Sequence, residues 1–299
     1  MRLTRYFFSN EVKTAMKTLE ASVLADGLTF GEGPRWHENK LWISDMHANR
    51  ILTCDLSGNL EEITQVPGRP SGLGWLPDGR LLYVSMLDSS LYTFANGKSE
   101  LYADLGPYCG GDPNDMVVDR QGRAYVGNFG YDMLAGEEAR PADLVLVGLD
   151  QKPRIVASDL QFPNGTVITP DDSTLIIAET FGTKLTAFDI DPSTGDLSGR
   201  RTFADLGERT PDGICLDAEG CIWVSCFVNG EYVRVQEGGE ITHLIDAGSH
   251  AAVACMLGGE DGRTLFLLTS DTDVERLTKG ESACRVETVE APAPSAGLP

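Results

Sequence analysis

An all-β propeller of six four-stranded blades, closed by strands from both chain ends, is the fold this 299-residue sequence predicts. Three observations predict it. The first is a repeat: Leu41-Trp42-Ile43, Leu82-Tyr83-Val84, Ala124-Tyr125-Val126, Leu175-Ile176-Ile177, Ile222-Trp223-Val224 and Leu265-Phe266-Leu267 recur about every 40 to 50 residues, the period of propeller blades. The second is punctuation. Each run follows a polar turn such as Pro77-Asp78-Gly79-Arg80 or Asp217-Ala218-Glu219-Gly220, and before each turn stands another apolar run, so every repeat opens with a hairpin. The third is a displaced fourth strand: Ser22-Val23-Leu24-Ala25 precedes the first repeat, and the last repeat stops after Cys284–Val289. Residues near 20–25 are therefore expected to complete the sixth blade, which hides two sheet edges at once.

The remaining elements follow in order. After each hairpin come two more alternating stretches, as in Lys184–Asp189 and Arg201–Leu206, which make four strands per repeat. Residues 1–18 lie outside the repeat as an N-terminal extension, expected to form a short helix around Glu11–Leu19 or to remain disordered. Residues 19–290 form the propeller, and the Pro- and Ala-rich stretch 291–299 reads as a flexible tail. An insertion over Tyr131–Ala142 lengthens the third blade and is either a lid over the channel mouth or a passive surface loop. Trp36, Trp42, Trp75 and Trp223 sit at strand positions suited to packing between blades.

Composition narrows the function. A net charge of −21 repels phosphate backbones and anionic membrane surfaces, which argues against nucleic acid and membrane partners. Seven cysteines without a CxxC pair indicate neither a disulfide framework nor a structural zinc site. The N-terminus lacks a sustained apolar core of a signal peptide, and no stretch approaches the length of a membrane span, so a cytoplasmic protein is expected.

The chemistry is carried by the residues that open each repeat: Gly31-Glu32-Gly33, Pro70-Ser71-Gly72, Pro113-Asn114-Asp115, Pro163-Asn164-Gly165 and Pro211-Asp212-Gly213. In a propeller the first strand of each blade borders the axis, so Glu32, Ser71, Asn114, Asn164 and Asp212 should converge there, with Ala254 or Cys255 as the sixth position. Buried carboxylates need a compensating cation or hydrogen bonds. Two carboxylates, two amides and no histidine are a hard oxygen set for one divalent cation, Ca²⁺ first, then Mg²⁺ or Mn²⁺, with Zn²⁺ still open. His37, His47, His243 and His250 lack metal-ligand spacing and read as turn or surface residues, and Ser71 lacks the G-x-S-x-G setting of a serine hydrolase. Phe129 and Tyr131, at the start of the insertion, are candidates for substrate contact.

From about residue 20 to about 290 the chain resembles the senescence marker protein/gluconolactonase/luciferin-regenerating enzyme family of six-bladed propellers. Gly31-Glu32-Gly33-Pro34-Arg35-Trp36 is similar to the family's opening motif, which implies Glu32 as a metal ligand. Pro163-Asn164-Gly165 resembles the segment that supplies an asparagine ligand, and Thr210–Gly220 implies Asp212 as both ligand and catalytic base. Pro113-Asn114-Asp115 is similar to a segment whose asparagine sits at the metal or the substrate. The resemblance implies a metal-dependent hydrolase that opens a lactone with an activated water. A non-catalytic propeller with a structural metal and a paraoxonase-type aryl or phosphoester hydrolase are the alternatives. Sugar-lactone members carry an arginine two residues before the asparagine, where this chain has Asp112. A carboxylate cannot replace a guanidinium in holding substrate oxygens by charge, so a neutral or less oxygenated lactone is expected.

Overall fold

The computed structural model describes residues 16–133 and 135–299. Six sheets radiate from one axis, each beginning with an inner strand: Gly31–His37, Pro70–Trp75, Pro113–Val118, Pro163–Ile168, Pro211–Leu216 and Ala251–Gly258. Within each sheet the following strands step outward by antiparallel hairpins. The sequence pattern explains the radial order. Inner and second strands, such as Pro163–Ile168 and Ile222–Cys226, are buried along their whole length because neighbouring blades cover both faces, so they read as nearly continuous apolar runs. Outermost strands, such as Leu60–Gln65, alternate exposed and half-buried residues because one face meets water.

Ring closure follows the displaced strand. Ser22–Leu28 pairs antiparallel with Ala283–Glu290, so the sixth blade takes its outer strand from the start of the chain and three strands from its end. Pairing resembling a clasp of this kind ties residues far apart in sequence and leaves no open seam.

Both ends depart from the sequence expectation. Lys17–Leu19, expected in a short helix or disordered, is a strand parallel to Ile241–Asp246 and gives the fifth blade a fifth strand; residues 11–15 of that expected segment lie outside the described residues. An exposed edge with unpaired backbone groups outcompetes a two-turn helix that has nothing to pack on. The tail 291–299, read from composition as flexible, crosses the face opposite the opening motifs: Ser295 N–H donates to Gly262 O (2.8 Å), Ala296 N–H to Leu216 O (3.0 Å), and Ile168 and Leu298 exchange bonds of 2.8 and 2.9 Å. It bridges the ends of the inner strands of blades four and five.

Tryptophans join blades. Trp36 of blade one stacks on Phe266 of blade six at 5.3 Å, and Trp42 meets Trp75 of blade two edge-on at 5.3 Å. All seven cysteines are free, six of them buried, and Cys215 and Cys255 approach to 3.8 Å between blades five and six. Among the described residues no helix is long and apolar enough to cross a membrane.

Candidate active site

Each inner strand opens with a bulge that turns one side chain toward the axis. In blades two to five pairing resumes two residues after the ring position, at Leu73, Met116, Thr166 and Ile214. In blade six it resumes at Ala254, so the sixth ring position is Ala252, not Ala254 or Cys255 as the sequence alignment suggested. A bulge adds one residue, which a pattern of apolar runs does not reveal. The ring therefore holds Glu32, Ser71, Asn114, Asn164 and Asp212, all buried, with a methyl group closing the circle. Glycine beside the ring residue permits the inner strands to approach: a Cβ on Gly165 would stand 2.5 Å from Ile214 N, and one on Gly33 2.7 Å from Ser71 O.

Electrostatics set this ring apart from ordinary turn residues. Burial, then the neighbouring charges of Asp212 and Asp115, pushes the Glu32 carboxyl well above the usual carboxylate range. Burial and the Asp115 charge do the same to Asp212. Among the described residues, Asn164 Oδ1 and Asp212 Oδ1 are buried with no hydrogen-bond partner. Two desolvated carboxylates, of which Glu32 accepts only a 3.3 Å bond from Gly33 N–H, stand with an unsatisfied amide oxygen as a donor set that a hard divalent cation fits. Among the described residues no group of three or more His, Cys, Asp or Glu gathers to hold a metal, so amide oxygens have to complete any such set. Asn114 is engaged differently. Its Oδ1 accepts from Ser71 Oγ at 3.2 Å, leaving its amide N–H groups without a partner among the described residues.

Beneath the ring, Arg35 ties three blades together. Its guanidinium, 4% exposed, donates to Asp115 Oδ1 and Met116 O (both 2.6 Å) of blade three and to Leu73 O (3.0 Å) of blade two. Arg35 and Asp115 thus form a buried ion pair that joins blades one and three, and neither lines the cavity on the axis.

That cavity has a volume of about 190 Å³. A larger open groove, about 1040 Å³, runs along Lys17–Glu20 at the outer edge, but no ring residue reaches it, and the axial cavity is the candidate site. Two further rings form its mouth, and both obey the repeat. Two residues before the first five ring positions stand Phe30, Arg69, Asp112, Phe162 and Thr210. Their carbonyls accept from the N–H groups of Met46, Met86, Phe129, Thr180 and Phe227, at 2.8 to 3.1 Å, and these five also line the cavity.

Of the residues expected from sequence, Glu32, Asn114, Asn164, Asp212, Asp112 and Phe129 all line this cavity. Tyr131 does not; it is buried behind the wall, edge-on to Phe162 at 6.5 Å, while Met133 carries the insertion to the mouth. His47, read as a hairpin residue, also lines the cavity and stacks on Phe30 at 5.4 Å; burial and the Arg69 charge lower its pKa. Sequence reasoning missed Arg69, Phe162 and the short helix Val274–Thr278, which brings Val274 and Leu277 to the mouth. Counting back two residues from each opening motif would have found the first two. Nothing in the local sequence marks the helix as part of the site.

The model of the SMP-30/Gluconolactonase/LRE-like region matches residues 30–271. The chain belongs to this family. A regucalcin from Danio rerio is 25% identical over 271 residues, covering 88% of this chain and 84% of the relative. A 6-deoxy-6-sulfogluconolactonase from Pseudomonas putida is 25% identical over 254 residues, covering 80% and 83%. Among solved structures, a luciferin-regenerating enzyme superposes with a TM-score of 0.78 at 17% identity, covering 91% of this chain and 95% of that one, which establishes the shared propeller.

Proposed function

We propose that the chain is a divalent-metal-dependent lactonase whose reaction occurs at the axial ring. The observation that carries this reading is the pair of desolvated carboxylates, Glu32 and Asp212, set beside an unsatisfied amide oxygen in a small-molecule cavity. The lactonase name of the Pseudomonas putida relative supports the substrate class.

Glu32, Asn164 and Asp212 would hold the cation, with Asn114 beside them. When bound, a divalent cation at such a site supplies Lewis-acid polarisation of an ester carbonyl and lowers the pKa of nearby water. The protein's own groups account for the rest. Asp212 accepts a proton from water as the water oxygen bonds to the carbonyl carbon, and the proton passes to the ring oxygen as the C–O bond breaks, giving a hydroxy acid. The Asn114 amide, whose oxygen is occupied by Ser71, donates toward the oxygen on which negative charge develops.

The test is hydrolysis of a panel of lactones by chelator-treated protein reloaded with Ca²⁺, Mg²⁺, Mn²⁺ or Zn²⁺. Turnover that returns with a cation and falls on the order of 10²-fold in Asp212→Asn supports the reading. Cation binding without turnover on any lactone replaces it with a binding propeller that holds a structural metal.

A further inference from the structure

The mouth of the cavity combines two chemistries that the reaction at the ring does not use. Arg69 lines it, yet among the described residues no hydrogen bond or ion pair holds its guanidinium. Its charge reaches Asp112 on the neighbouring blade and His47 on the blade behind, so all three face one space. The backbone presents Arg69 in the left-handed region, φ +61°, which an arginine adopts only when its surroundings impose it. Here they do: Met86 N–H and Leu87 N–H donate to Arg69 O and Gly68 O at 2.9 and 2.8 Å.

Phe162 occupies the repeat-equivalent position two blades on and uses the same device. Its φ is +60°, and Thr180 N–H and Phe181 N–H fasten Phe162 O and Gln161 O at 3.1 and 3.2 Å. Phe162 stacks on Phe129 at 4.5 Å and meets Phe181 at 4.8 Å, which builds an aromatic wall in the cavity that the arginine also lines. The wall continues into solvent. Phe181, Val228 and Val274 are 55%, 66% and 54% exposed, and all three border this one opening. Three large apolar side chains left in water around one largely apolar opening mark a surface that an apolar ligand covers. The cavity beneath them is sized for a small molecule and ends at the reactive ring, so the ligand is the substrate itself.

We infer that the mouth selects a lactone bearing an alkyl or aryl substituent, the substituent lying along Phe162 and Phe181 and an ester oxygen accepting from the Arg69 guanidinium. This rests on the lactonase reading and specifies its substrate class. An amphiphilic lactone satisfies both halves of the mouth, whereas a polyhydroxylated one leaves hydroxyl groups against phenyl faces without partners. Arg69 acts from blade two, and among the described residues no hydrogen bond or ion pair joins it to the ring carboxylates, so it is a specificity residue and its loss acts mainly on binding.

The experiment measures kcat and KM for γ-butyrolactone, γ-hexalactone, γ-octalactone and glucono-1,5-lactone with cation-loaded protein, and calorimetric binding of the matching non-hydrolysable γ-alkyl lactams. The inference expects kcat/KM to rise about three- to fourfold per methylene along the alkyl series and to exceed that for glucono-1,5-lactone. Phe181→Ser lowers that slope. Arg69→Gln raises KM about tenfold or more with kcat little changed, and Arg69→Lys recovers part of the loss. Hydrolysis with a flat alkyl series, a preference for glucono-1,5-lactone, or an Arg69→Gln KM equal to wild type overturns the inference and leaves the lactonase reading standing. Lactam affinities that climb with chain length while no lactone is hydrolysed overturn the lactonase reading and leave the mouth as described. Lactams that bind with no dependence on chain length, or not at all, overturn the inference.

Discussion

Replacing Asp212 with asparagine has two effects of opposite sign on stability, and together they test why the ring exists. In cation-free protein Glu32 and Asp212 are desolvated acids at one point, and burial with the nearby Asp115 charge pushes both carboxyls well above their usual range, whereas Asp115 itself is paired with Arg35. Asparagine keeps the size and removes one of these acids. Burial and the Asp115 charge disfavour an ionised Asp212, a cost the neutral amide does not carry, so in chelator Asp212→Asn should be at least as stable as wild type. With cation the order reverses. A ligand that binds only the folded state at a hundred times its Kd adds about 2.7 kcal/mol. For a chain of this length each kcal/mol is worth about 2 °C in Tm, so wild type should gain about 5 °C. The variant, lacking a ligand and a charge, should gain less than about 1 °C. The assay is differential scanning calorimetry of both proteins in EDTA and in a Ca²⁺ series, with circular dichroism to verify the fold. A variant that is several degrees less stable than wild type in EDTA, yet still rises by about 5 °C with Ca²⁺, would refute the idea that Asp212 is an uncompensated acid awaiting a cation.

Three further outcomes are expected. Arg35→Met strands Asp115 below the ring, and breaking a buried ion pair of this kind costs about 3–5 kcal/mol, so Tm should fall by roughly 6–10 °C; a change under 2 °C contradicts the account of Arg35 as the bridge between blades. Deleting residues 291–299 removes the backbone bonds to Gly262, Leu216 and Ile168, and chemical denaturation should show a loss of about 2–4 kcal/mol, whereas an unaltered midpoint would mean the tail is dispensable. His37, stacked on Trp75 at 3.9 Å, has its pKa lowered by burial, so the folded state favours the neutral ring. Its contribution is present above the unfolded pKa near 6.5 and is lost as pH falls toward the folded value, because the unfolded chain then binds more protons. Stability measured between pH 7.5 and 5 should fall less steeply in His37→Gln than in wild type.

The blade count, the hairpins and the closing strand were legible because each is a local pattern repeated. Apolar periodicity with polar turns specifies strands wherever it occurs, and six copies leave the ring as the arrangement that buries every face. The same repetition exposed Glu32, Asn114, Asn164 and Asp212, since superposed blades must bring equivalent residues together at the axis. What the sequence by itself did not determine was anything set by contact between segments that share no pattern. The bulge that shifts the sixth ring position to Ala252, the strand Lys17–Leu19 on the edge of blade five, and the tail across Gly262 and Leu216 all depend on which backbone groups are left unpaired after the blades have packed. The mouth belongs to the same class. Arg69 faces Asp112 and His47, and the helix Val274–Thr278 reaches over an opening shared with Phe181, only because the closed ring places loops from separate blades around one space. Local periodicity fixes what each segment becomes, whereas the company its side chains keep is a property of the closed chain.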